Sequence, residues 1–227
     1  MSVFLVYDAE NAEYLLQPAG YAALGVLLCL LVFSVYGRRE KRTASGRRAE
    51  HLRQTKTVVF CAAAMALATV TSFLKLASLP FGGSITMFSM FFIALTGYIY
   101  GLRIGLTVGV AYGILQLIQE PYIYAPLQVL LDYPLAFGAL GLSGAFCNRR
   151  HGLVTGYAVG VVGRYLCHVI SGYVFFGEYA PEGMNPLVYT LGYNLTYILP
   201  ELIATVAVLS IPAVAKAVAQ VKRQALG

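Results

Sequence analysis

The chain has 227 residues, of which 59% are hydrophobic and only 11% charged, with a formal net charge of +6 and a mean hydropathy of +0.71. Soluble domains carry about a quarter charged residues, so this composition leaves too little polar surface to cover a water-exposed exterior and excludes an ordinary soluble fold. Half of the 16 Lys and Arg lie between Arg38 and Lys56, and such a block beside apolar runs reads as a cytoplasmic loop under the positive-inside rule, not as a nucleic-acid-binding face.

In chain order, the first thirteen residues hold Asp8, Glu10 and Glu13 and no base. The apolar run 20–36 therefore lacks the basic front of a secretory signal peptide and reads as a retained helix. The expected organisation is an extracellular stub with this extra transmembrane helix (1–36), a basic cytoplasmic linker (37–56) and a membrane domain (57–227). Within that domain apolar length places spans at 57–77, 85–102, 106–118, 126–147, 153–176 and 186–215. The loops alternate in charge: Arg103, then Arg149 and Arg150, then Lys216, Lys222 and Arg223 on one side, with Glu120, Glu178 and Glu182 on the other. That alternation puts the N-terminus outside and the C-terminus in the cytoplasm. Lys75, near the outer end of the span 57–77, runs against the pattern and reads as a snorkelling lysine.

Glycines recur at four-residue spacing in Gly101, Gly105, Gly109 and Gly113, and again in Gly156 and Gly160, which suits close helix packing. Ala62 and Ala66, with Ala64 and Ala68 beside them, form a second small-residue stripe able to dock another helix of this chain or a partner subunit. Cys29, Cys61, Cys147 and Cys167 form no C-x-x-C pair and read as reduced structural thiols.

Ionisable groups inside spans are costly unless paired, solvated or used, and four stand out: Asp132, Arg164, His168 and Glu201. Arg164, His168, Gly172 and Phe176 follow one another at four-residue spacing on one helix face, as do Tyr189, Tyr193, Tyr197 and Glu201, with Asn194 one position round. Pro134 deprives the carbonyl of Leu130 of its helical donor and adds backbone polarity beside Asp132. The loops EPYIYA (120–125) and GEYAPEGMNP (177–186) have the composition of a lid. A carboxylate, an imidazole, an amide and several aromatic faces at one depth suit a flat, cationic, hydrogen-bonding small molecule. The plainer alternative is a set of structural pairs, Asp132 with Arg164 and Glu201 with a Tyr hydroxyl. No H-E-x-x-H helix, G-x-S-x-G elbow or nucleotide-binding loop occurs, so neither a catalytic centre nor a metal or cofactor site is expected. A binder without a motor implies partner chains.

From about Thr57 to its end the chain resembles the thiamine-specific substrate-binding subunits of energy-coupling factor transporters, the ThiT/YuaJ family. The stretches carrying the likeness are GGSIT (82–86), GILQLIQEPYIYAPLQVLLDYPLAFGALGL (113–142), HVISGYVFFGEYAPEGMNP (168–186) and YNLTYILPE (193–201). The resemblance implies an all-α, six-helix membrane bundle, here preceded by the extra N-terminal helix, in the plasma membrane of a prokaryote. It implies capture of external thiamine, with a shared transmembrane coupling subunit and two ATP-binding subunits as partners. It also implies ligand contacts at Asp132, Tyr133, His168, Arg164, Phe176, Tyr122, Tyr189 and Asn194, and docking of the coupling subunit on Ala62 and Ala66. Some members stack the ligand with Trp; this chain has none, so the stacking role falls to Phe176. The competing functions are a stand-alone proton-coupled carrier using Asp132, His168 and Glu201, and an integral-membrane enzyme. The extra helix has no assigned role beyond anchoring, orientation or contact with anionic lipid.

Overall fold

The structure is a computed structural model, and it describes residues 5–8, 13–18, 21–22, 44–79 and 83–227. The predicted span 20–36 and Cys29 fall outside the described residues, apart from residues 21 and 22. In chain order come a hairpin of β1 (Leu5–Asp8) and β2 (Glu13–Leu16), with Leu5 opposite Leu16, and the long helix α1 (Ala44–Ser72). A second hairpin pairs β3 (Lys75–Ser78) with β4 (Ser84–Thr86). The remaining helices are α2 (Ser89–Tyr100), α3 (Leu102–Gln119), α4 (Pro126–Phe146), α5 (Gly152–Phe175), α6 (Pro186–Leu209) and α7 (Pro212–Leu226).

Six of these helices are apolar. Five are long and apolar enough to cross a membrane, α1 over Arg53–Ser72, then α3, α4, α5 and α6, while α2 is a shorter apolar helix. Twelve residues rise only about 18 Å, well short of the roughly 30 Å hydrocarbon core. The span expected at 85–102 is thus a strand plus this short helix. Its limits are local: Phe88 takes a left-handed φ of 62°, and Gly101 closes the helix at φ 90°, ψ 176°, a conformation that glycine alone adopts freely.

The span expected at 57–77 ends earlier, at Ser72. In its last turn the Thr71 and Ser72 hydroxyls bond back to the carbonyls of Leu67, Ala68 and Thr69, competing with the helical ladder. Lys75 is therefore not a snorkelling span residue. It sits on β3 and its Nζ pairs with both carboxylate oxygens of Glu120, at 2.6 and 2.7 Å. The last span, expected to 215, breaks at Ser210–Pro212. Proline 212 forces Ile211 into an extended conformation (ψ 122°) and opens a new helix at its first position.

The core is the seam between helices. Tyr112, Tyr157, Met90, Ile93 and Leu140 are fully buried within it, while Val162, Leu166, Ile170 and Val174 form an exposed apolar stripe along the outer side of α5, as a lipid-facing surface requires. Because lipid is as apolar as these side chains, close packing rather than the hydrophobic effect holds the bundle. The α3 glycines show how close. A Cβ on Gly109 would lie 2.4 Å from the carbonyl oxygen of Phe137, and one on Gly113 2.4 Å from that of Tyr133, so α3 lies backbone to backbone on α4. Gly156 and Gly160 seat α5 on the end of α4 in the same way. Gly101 does not join that stripe, because it lies in the α2–α3 turn. Of the alanines on α1, Ala64 and Ala68 face inward and Ala62 and Ala66 outward.

At the end of the bundle where α7 packs, Lys222 donates to the carbonyls of Tyr98 (3.0 Å) and Cys147 (2.6 Å) and sits 3.8 Å over the Tyr98 ring. It joins the last turn of α2 to the end of α4, and its partial burial lowers its pKa from the ordinary lysine value. Cys61, Cys147 and Cys167 are free thiols.

Candidate ligand-binding site

The site is built around an irregular turn. Helix α4 starts at Pro126 after an extended Ala125, then widens into a π turn over Leu131–Leu135. The cause is Pro134, which has no N–H to close an α turn; the wider turn lets the backbone N–H of Ala136 reach the carbonyl of Leu131. Asp132 and Tyr133 lie in this turn, and the Gly113 contact presses its backbone against α3.

The Asp132 carboxylate accepts three hydrogen bonds: from Gln128 Nε2 (2.8 Å), Ser171 Oγ (2.8 Å) and His168 Nδ1 (2.9 Å). His168 Nε2 faces Arg164 Nε at 3.2 Å. A guanidinium only donates, so Nε2 is the accepting nitrogen and Nδ1 carries the proton that it gives to Asp132. Arg164 also lies 4.1 Å over the Phe137 ring. The result is a polar chain from Arg164 through His168 to Asp132. The direct Asp132–Arg164 pair considered from sequence does not form; the imidazole stands between them.

Two cavities meet at this chain, and Asp132, His168 and Tyr197 line both. The larger, about 890 Å³ with its open mouth included, also takes in Tyr133, Arg164, Glu120 and Glu201. The smaller, about 420 Å³ on the same basis, is lined by Phe176, Tyr189, Tyr193, Asn194, Thr190 and Ser171 among others. Asn194 donates to the carbonyl of Thr190 (2.9 Å) and accepts from the Tyr197 hydroxyl. The Phe176 ring, at the end of α5, has the rings of Tyr122, Tyr124 and Tyr179 around it at centroid distances of 5.9, 5.5 and 6.3 Å. The loops 120–125 and 177–186 thus converge on Phe176, which lines the smaller cavity.

All eight pocket residues singled out in the sequence line one or both cavities, Tyr122 doing so at the larger while its ring lies beside Phe176. Glu201 lines the larger cavity together with Asp132. It takes hydrogen bonds from Thr86 Oγ1 (2.7 Å), Met90 N (3.0 Å) and Ser89 Oγ (3.4 Å), so its partners are a strand and the first turn of α2 rather than a Tyr hydroxyl. Tyr193 adds a second tie to the same segment by accepting from Gly83 N at 3.2 Å. Of the three carboxylates lining the larger cavity, Glu120 pairs with Lys75. Asp132 is held by Gln128, Ser171 and His168, none of them Lys or Arg, which leaves its charge open to a cationic guest. Gln128, Ser171 and Tyr197 were not singled out as contacts. Gln128 and Ser171 carry no charge, and only their spacing, four residues before Asp132 and three after His168, places them on the same faces. No group of three His, Cys, Asp or Glu side chains suited to a metal ion occurs among the described residues.

Residues 58–221 match the family described as thiamine transporter protein (Thia_YuaJ). Thiamine transporter ThiT of Bacillus subtilis is 36% identical over 172 residues, covering 70% of this chain and 88% of that protein. ThiT of Lacticaseibacillus paracasei is 34% identical over 120 residues, or 45% of this chain and 60% of that protein. A solved structure of ThiT from Listeria monocytogenes superposes with a TM-score of 0.56 at 25% identity, covering 69% of this chain and 94% of that one. With the match running from α1 into α7 through every helix that borders the cavities, the chain belongs to the thiamine transporter family: it is a multi-pass membrane transport protein, not an enzyme.

Proposed function

We propose that this chain captures thiamine from the outer side of a prokaryotic plasma membrane and is the specificity subunit of an energy-coupling factor importer. The observation that carries the proposal is the Asp132 carboxylate, held by three donors where two polar, aromatic-lined cavities meet. Thiamine is a cation of two flat rings, an aminopyrimidine and a thiazolium, joined by a methylene. Asp132 compensates its charge, His168, Asn194 and Tyr189 read its polar edges, Phe176 stacks on a ring, and Tyr122, Tyr133 and Arg164 complete the wall. The names of the two ThiT relatives support the ligand.

The energy source lies in partner chains: a shared transmembrane coupling subunit and two ATP-binding subunits, with the exposed Ala62 and Ala66 on α1 as the docking face. In this topology the α7 end faces the cytoplasm, the Lys75–Glu120 end faces outward, and the N-terminus is outside. Residues 1–36 act as an added anchor, and the basic segment 37–56, helical from Ala44 as the start of α1, joins it to the binding domain 57–227. Uptake of labelled thiamine by cells expressing the chain tests the coupling. Loss of uptake when the partner ATPases are deleted, with uptake insensitive to an uncoupler, supports the proposal. Uptake abolished by the uncoupler and independent of the ATPases would instead establish a proton-coupled carrier.

A further inference from the structure

Gln128 is 1% exposed, and a buried amide persists in an apolar wall only when its hydrogen bonds are met. Here every partner is Asp132 or the backbone of the loop 120–125. Nε2 donates to Asp132 Oδ2 at 2.8 Å and to the carbonyl of Tyr122 at 3.2 Å, while Oε1 accepts from the backbone N–H of Tyr124 at 3.1 Å. The amide has a single workable orientation, since Tyr124 offers a donor and the other two partners offer only acceptors.

The local sequence explains how it arrives there. Ala125 caps α4 and Pro126 is its first residue, so Gln128 is the third helical residue, the position from which a Gln in a capping box reaches back to the chain before the helix. It reaches Tyr124, one residue further than the cap, and its two N–H groups then point into the site. The residue four positions on, across one helical turn, is Asp132. The loop that Gln128 grips carries the two rings that flank Phe176, those of Tyr122 and Tyr124.

We infer that Gln128 is a positioning residue for ligand capture: it fixes the plane of the Asp132 carboxylate and ties that carboxylate to the loop 120–125 that backs the stacking ring. The inference rests on the thiamine reading above. Binding of a cation to Asp132 then tightens the loop through Gln128, and loosening the loop weakens the carboxylate's grip on the cation.

The test is a double-mutant cycle on the purified full chain, with thiamine affinity measured for the wild type, Gln128→Met, Asp132→Asn and the double variant. Met keeps the length and removes every hydrogen bond of the amide. Gln128→Met is expected to weaken thiamine binding about tenfold to a hundredfold, but less than about threefold in the Asp132→Asn background, because a residue acting through Asp132 has little left to position. An equal loss in both backgrounds, or no loss in either, overturns the inference while leaving thiamine capture intact. A wild-type chain that does not bind thiamine overturns both. Should Gln128→Met fail to fold, hydrogen exchange of the segment 120–125 in ligand-free Asp132→Ala decides the matter. Faster exchange than in the wild type is expected, since coupling is reciprocal, and unchanged exchange overturns the inference.

Discussion

Replacing Asp132 with Asn isolates the charge on which ligand capture depends. The two side chains are nearly the same size, and Asn retains an oxygen for Gln128 or Ser171, so the fold should persist. The carboxylate side chain is 16% exposed, which places it in a partly desolvated setting. At a separation of about 4 Å and an effective dielectric of about 20, its attraction for a ligand cation is about 4 kcal/mol. Losing it should weaken thiamine binding about a thousandfold. A neutral aminopyrimidine lacking the thiazolium ring keeps its other contacts and should lose no more than about tenfold. Isothermal titration of the detergent-solubilised variant with both ligands measures the difference. An Asn variant within about threefold of wild type, or equal losses for the cationic and neutral ligands, would refute the charge argument.

Other perturbations probe the frame. Glu201→Gln replaces one acceptor among Thr86, Ser89 and Met90 with a donor, and should lower stability by about 1–3 kcal/mol, read as a drop in melting temperature; an unchanged melt would mean that the carboxylate does not hold the start of α2. Gly113→Ala puts a Cβ 2.4 Å from a backbone oxygen of the π turn, where no side chain can rotate away. It should cost about 1–3 kcal/mol and weaken binding, whereas Gly192→Ala, with open space around it, should do neither. Phe176→Trp supplies a more electron-rich ring beside the cation and should tighten binding by about 0.5–1 kcal/mol. As the chain has no Trp of its own, fluorescence quenching of this residue on titration with thiamine reports the contact directly.

The stripe of Arg164, His168, Gly172 and Phe176 was legible in the sequence because helical spacing alone puts those residues on one face. Their partners were not, because pairing depends on how helices cross. Asp132 and Arg164 are opposite in charge and suggested a direct pair, yet the imidazole between them became the link. Lys75 was misplaced for a related reason. The residues around it are apolar enough to extend a span, and its counter-ion Glu120 lies 45 positions away. Hydropathy also ran through Ile211 and Pro212, although an extended residue before proline ends a helix there. Pro134 announced a missing donor in α4, but the sequence does not say that the backbone answers it by widening into a π turn, which packs against α3 at Gly113. Gln128 stayed hidden among apolar neighbours because its value to the site comes from a loop carbonyl and a loop N–H, groups that every sequence contains.

The most direct test of capture is equilibrium binding of thiamine to the purified, detergent-solubilised chain without any partner subunit, with its pyrimidine and thiazole precursors and its phosphate esters as competitors. Saturable one-to-one binding of thiamine, stronger than that of either half alone, is the predicted result. Absence of binding by thiamine and all of its competitors would contradict the account, leaving the fold in place and the cavity without its proposed ligand.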